Sequence, residues 1–130
     1  MKIMVGYDGS EPARKAVDLS IQYAKAFDAQ VLLVTSLVGG TVSDGDQTHH
    51  AEEEFEAIKR LFDKEKIPCT TDLLVRGLSP GQDIVQYAEE NSVDQVILGV
   101  RKKSRTGKLL FGSNAQFVIL NAHCPVVTVK

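Results

Sequence analysis

The sequence predicts an α/β fold: a single open five-stranded parallel sheet wound with right-handed crossovers, with helices on both faces. Three observations predict it. Apolar runs at 2–7, 30–37, 95–99 and 125–129 show little polar alternation, which is the pattern of strands covered on both faces. Segments with apolar residues at helical spacing alternate with these runs along the whole chain. Caps and turns punctuate the change from one to the other. The 130 residues form one domain, 1–130, long enough to bury a substantial core.

Residues 2–7, Lys-Ile-Met-Val-Gly-Tyr, read as a buried first strand, and Asp8-Gly9-Ser10 as the turn after it. Ser10 before Glu11-Pro12 marks a helix start. Ala13, Ala16, Val17, Ser20, Ile21, Ala24 and Phe27 then give that helix one inward face. A continuous apolar strand follows at 30–37. Val38–Thr48, rich in glycine and acidic residues, reads as a mobile loop before a second helix from about His49 to Lys64. Phe55, Ile58, Leu61 and Phe62 should face inward there.

The third strand lies within Ile67–Val75, and Ser79-Pro80-Gly81-Gln82 forms a capping box opening a third helix that runs to about Asn91. That helix should bury Ile84, Val85 and Ala88. Gln95–Gly99 is a fourth strand. A loop with cationic residues at 101, 102, 103, 105 and 108 leads to a fourth helix, Ser113–Asn121, with Ser113 as cap and Gln116 completing a capping box. Pro125–Val129 is the last strand.

A hydrophobic fraction of 43% and a charged fraction of 25% are those of an ordinary soluble protein. The net charge of -2 gives no global attraction to nucleic acid or anionic membrane, so neither is expected as a partner. No apolar run approaches the ~18 residues of a bilayer span, and Met1-Lys2-Ile3-Met4 leads straight into a strand; both point to a cytoplasmic protein. Cys69 and Cys124 lack metal-type spacing and read as reduced thiols.

In a sheet of this kind ligands bind beyond the carboxyl ends of the strands, where the winding reverses. The loops there are Asp8-Gly9-Ser10, Ser36 onward, Arg76-Gly77 and Gly99 onward. The last combines a basic loop with a helix start at Gly112-Ser113, where unpaired N–H groups and the dipole favour an anion, above all phosphate. It is not a P-loop, since Gly107-Lys108 is followed by Leu109 and the earlier glycine position holds Lys102. No Gly-x-Gly-x-x-Gly follows the first strand.

Over its whole length the chain resembles the universal stress protein family. The resemblance lies in Val5-Gly6-Tyr7-Asp8-Gly9-Ser10, in Gly99 with Gly112-Ser113, and in the closing Cys124-Pro125-Val126-Val127-Thr128-Val129. It implies strand order 3-2-1-4-5, an adenine nucleotide alpha-hydrolase-like arrangement. It also implies a stress-response module that binds ATP, or ADP or AMP in its place, with Mg accompanying the phosphates. Nucleotide-binding members carry Gly-x2-Gly-x9-Gly-Ser/Thr; here Gly99, Gly112 and Ser113 match, and Lys102 replaces the second glycine. By this similarity Asp8 and Ser36 border the adenosine, Gly99, Arg101 and Lys102 the ribose and phosphates, and Gly112, Ser113 and Asn114 cradle phosphate oxygens. Lysine at 102 costs roughly 1–2 kcal/mol if φ must be positive, against about 1.5–3 kcal/mol for a charge-assisted bond to phosphate. Binding is therefore expected to be weakened and not abolished. The resemblance further implies a homodimer joined through the C-terminal strand, which would cover an apolar edge.

Plainer readings stand beside these. Gly112-Ser113 also fits a bare helix cap, the basic loop a solvated segment, and Asp8 an Asx turn with Ser10. His49/Glu53 and His50/Glu54 have helical i,i+4 spacing and fit a solvated acidic turn better than a metal site. No nucleophile, base and orienting acid occur together. A ligand-independent dimeric interaction protein of the same fold is the alternative to a nucleotide binder, and slow ATP hydrolysis is a third reading.

Overall fold

Strand pairing in the computed structural model is parallel throughout, in the order β3-β2-β1-β4-β5. The structure describes residues 1–37, 44–101 and 112–130, with the side chains of 44–48 left aside. The strands are β1 (Lys2–Gly6), β2 (Gln30–Ser36), β3 (Cys69–Leu74), β4 (Gln95–Gly99) and β5 (Val126–Val129). The helices are α1 (Glu11–Phe27), α2 (Asp44–Lys64), α3 (Pro80–Glu90) and α4 (Ser113–Asn121).

Period-two alternation divides the strands between two cores. Ile3 and Val5 of β1, Val31 and Leu33 of β2 and Ile97 of β4 pack with α1 and α2 around Phe62. Met4, Leu32, Val34, Val96 and Leu98 pack with α3 and α4 around Tyr87, Ala88 and Val118. Both faces of the central strands are therefore dry, as their unbroken apolar sequences require.

Helix α1 starts where Ser10 accepts a hydrogen bond from Ala13 N–H at 3.2 Å and ends at Asp28, whose left-handed backbone (φ 52°) stops the helix. At α3, Gln82 Oε1 accepts from Ser79 N–H at 3.4 Å, the reach-back half of the expected box. Two glycines are fixed by close packing. A Cβ on Gly99 would lie 2.3 Å from the Pro12 carbonyl carbon and 2.4 Å from Ala13 N, inside the first turn of α1. A Cβ on Gly81 would lie 3.0 Å from the Asn114 carbonyl oxygen. These contacts seat α1 on the end of β4, and α3 against α4.

Several expectations need correction. Helix α2 begins at Asp44, so 44–48 are helical and not loop; Asp44 and Asp46 occupy first-turn positions, where negative charge favours a helix start. The rest of the expected mobile loop, 38–43, lies outside the described residues. Ser113 is the first helical residue and Gly112 is the cap, its carbonyl accepting from Gln116 N–H at 3.0 Å. Leu61 is 47% exposed because it sits at the flank of the stripe made by Phe55, Ile58 and Phe62. Phe27 is 56% exposed. With 17 residues α1 is about 26 Å long and outruns a five-residue strand of about 17 Å. The Phe27 ring lies edge-on to Tyr23 instead, with centroids 6.0 Å apart. Ile21 and Val85 are half-buried.

Two outcomes follow. Gly99→Ala should cost about 2 kcal/mol or more, because the clash is with backbone; urea melts of the two proteins will measure it. Burial pushes the Cys69 thiol up to about 11 from an ordinary 9.0. A group that keeps its proton longer when folded stabilises below its unfolded pKa and loses that contribution as pH rises. Wild-type stability should therefore fall more steeply than that of Cys69→Ala between about pH 9 and 11, in melts taken across that range.

Candidate functional site

The crossovers leave β1 and β4 in opposite directions, and at their carboxyl ends the chain opens into a crevice of about 410 Å³. Its apolar floor comes from strand ends and helix faces: Val34, Ile84, Leu98 and Val118. The Leu98 and Ile84 side chains of that floor pack against Gly6, which has no side chain of its own. A Cβ there would lie 2.6 Å from Leu98 Cδ2. Asp8, Ser36, Gly99, Arg101, Gly112, Ser113 and Asn114 all border this one crevice. Lys102, with the basic positions after it, lies outside the described residues.

The two ends of the crevice differ in chemistry. At one end Asp8 is exposed and its Oδ1 accepts from Ser10 N–H at 2.9 Å. This is an Asx turn, and Gly9 within it has a positive φ of 81°. Nearby, the Ser36 hydroxyl donates to Asp83 Oδ2 at 2.6 Å. Asp83 is fully buried. Its Oδ1 accepts from Arg76 Nε at 2.6 Å, and its backbone carbonyl accepts from Arg76 Nη2 at 3.2 Å. Arg76 also reaches Glu90 Oε2 at 3.0 Å. Desolvation works against the Arg76 charge, but the hydrogen bonds to Asp83 and Glu90 outweigh it and hold the guanidinium above its ordinary range.

At the other end the N-terminus of α4 faces the crevice through Gly112 and Ser113, with exposed Arg101 beside it. Gly112 has ordinary extended backbone, and a Cβ on it would meet nothing within 4 Å. The protein itself therefore places no demand for glycine here. Asn114 is partly committed: its Oδ1 accepts from Gly81 N–H at 3.0 Å, tying α4 to α3. Gly99 borders the crevice for a structural reason, its contact with α1.

Sequence reasoning placed Arg76 at the ligand edge but missed Asp83 and the pairing of the two. The available signal was an acid at 83 on the buried side of α3, among Ile84, Tyr87 and Ala88, where an unpaired carboxylate would be costly. His49 Nε2–Glu53 at 3.1 Å and His50 Nε2–Glu54 at 3.2 Å are pairs along α2, and among the described residues no third His, Cys, Asp or Glu joins them in a metal-binding group. Among the described residues no helix is long and apolar enough to cross a membrane.

A universal stress protein of Archaeoglobus fulgidus has the same fold, with a TM-score of 0.86 and 33% identity over 100% of this chain and 93% of that one. Another structure, of the universal stress protein from Archaeoglobus fulgidus in complex with dAMP, has a TM-score of 0.84 and 31% identity over 100% of this chain and 98% of that one. In sequence, universal stress protein MJ0531 of Methanocaldococcus jannaschii is 31% identical, covering 99% of this chain and 81% of its own length. The model of the universal stress protein family matches residues 1–130. The chain belongs to the universal stress protein family.

Proposed function

We propose that this chain binds an adenine nucleotide in the crevice, ATP or, in its place, ADP or AMP. One observation carries the reading: an apolar-floored crevice at the winding reversal has an anion-favouring helix start and Arg101 at one end, and acceptor groups at the other. The base lies against Val34, Ile84 and Leu98, with Asp8 and Ser36 beside the adenosine. The phosphates lie at Gly112-Ser113, where backbone N–H groups and the Ser113 hydroxyl donate and Arg101 supplies charge. Lys102 adds to that charge, and Mg accompanies the phosphates. The complex of the Archaeoglobus fulgidus relative with dAMP supports the choice of nucleotide. Asp8 is the one carboxylate among the described lining residues, which favours binding over turnover. The protein thus acts as a nucleotide-responsive module of the cytoplasmic stress response.

Titration calorimetry with AMP and ATP tests this. Wild type should give saturable heat, and Gly112→Val should abolish it with an unchanged melting temperature, since the new side chain meets only the ligand. No heat with millimolar ATP, ADP or AMP would leave the interaction module as the better reading, and phosphate release from ATP would favour the hydrolase.

We also propose that the chain forms a homodimer through the C-terminal strand. Strand β5 is a sheet edge, and on neighbouring α4 Leu120 is 72% and Ile119 39% exposed. The carbonyls of Pro125 and Val129 accept from the N–H groups of Val96 in β4 and of Val100 just after it. By the two-residue period Thr128 therefore turns its N–H outward, where a second copy would pair with it. Thr128→Pro removes that donor and spares the pairing with β4. Sedimentation should find a dimeric wild type and a monomeric, folded variant; a monomeric wild type at micromolar concentration refutes the idea.

A further inference from the structure

Among the described residues Asp83 is the only buried side chain that carries a formal charge, and its two oxygens have separate tasks. Oδ1 accepts from Arg76 Nε and Oδ2 from the Ser36 hydroxyl, each at 2.6 Å. An ionised carboxylate can only accept, so the Ser36 proton must point at Asp83. What the Ser36 oxygen can then offer the crevice is lone pairs.

The other groups at this end agree. Asp8 is an acceptor, and the Ser10 N–H beside it is spent on Asp8 Oδ1. The backbone N–H of Tyr7 donates to the Val34 carbonyl, and that of Leu37 to the Leu74 carbonyl. Asp8 and Ser36 thus offer acceptors here, and the N–H groups of Tyr7, Ser10 and Leu37 are spent inside the fold. The opposite end, with Arg101 and the α4 start, takes the phosphates, so a base in the crevice must present its edge here.

We infer that Ser36, its polarity set by Asp83 and Arg76, reads the exocyclic group of a purine and selects 6-amino over 6-oxo. An amino group donates to the Ser36 oxygen, whereas a 6-oxo group sets one lone pair against another. Ser36 is the specificity-determining residue, and Asp83 and Arg76 are positioning residues that act through it. The inference rests on the nucleotide reading above and adds the basis of base selection.

The test compares AMP, IMP and purine riboside 5′-monophosphate, which keeps the ring and lacks the 6-substituent, by calorimetry on three proteins. Wild type should bind AMP about tenfold tighter than either analogue, the usual cost of one unmade bond. Ser36→Ala should bring all three within about threefold of one another. In Asp83→Asn the amide oxygen stays with Arg76, so the amide nitrogen donates to Ser36 and its hydroxyl turns into the crevice as a donor. That variant should favour IMP over AMP, with purine riboside monophosphate still weak. A merely structural role for Asp83 would weaken all three ligands together and leave their ranking as it was. If thermal melts show Asp83→Asn unfolded, the ranking in Ser36→Ala decides. A wild type that binds AMP and IMP equally, or a Ser36→Ala protein that keeps the wild-type ranking, overturns the inference and leaves nucleotide binding intact. Failure of all three ligands to bind wild type overturns both.

Discussion

The approach of β4 to the first turn of α1 sets the geometry on which the rest of the ligand edge depends. At Gly99 the backbone of one element lies where any side chain would overlap Pro12 and Ala13 of the other. Asp8, after β1, and Arg101, after β4, both border the single opening beside this contact. Gly6 acts differently: its missing side chain leaves room for the Leu98 and Ile84 side chains that line the crevice. One contact is backbone against backbone and the other backbone against side chain, and both are set by the fold alone.

Around that opening the distribution of polar groups is uneven. The strand interiors are apolar on both faces, and buried polarity collects where the strands end. Thr35 Oγ1 donates to the Tyr7 carbonyl at 2.7 Å, and Ser36 donates to Asp83. A buried carboxylate is costly unless paired. Here Arg76 supplies both the charge and two donors, and Glu90 holds Arg76 from the far side. The network joins β2, the segment after β3 and α3, so the polar end of the crevice is tied together by contacts internal to the fold.

Much of this was legible in the sequence, and the limits have physical causes. Apolar runs identified the strands other than β3, whose Thr70, Thr71 and Asp72 reflect its place at a sheet edge. Asp8, Ser36, Gly99, Arg101, Gly112, Ser113 and Asn114 come together at one edge because each ends or closely follows a strand, or caps or opens a helix. The start of α2 was not legible, since Asp44-Gly45-Asp46 has the composition of a loop and its helical state depends on the rest of a 21-residue helix. Phe27 and Leu61 fit a helical period and are still exposed, because periodicity ignores where the sheet ends and where an apolar stripe has its flank. Asp83 was missed because a pairing seven residues away in sequence, with Arg76, is a property of the folded corner and not of a motif.

The junction of α3 and α4 has a consequence of its own. Pro80 and Ser113 both border the crevice, so two helices point their positive poles at one corner. Pro80 has no N–H, and the Gly81 N–H is taken by Asn114. Helix α3 therefore contributes field without donors, while α4 contributes both. Two like poles held side by side repel, and the Gly81–Asn114 bond ties them together. An anion seated there would be attracted by both poles at once.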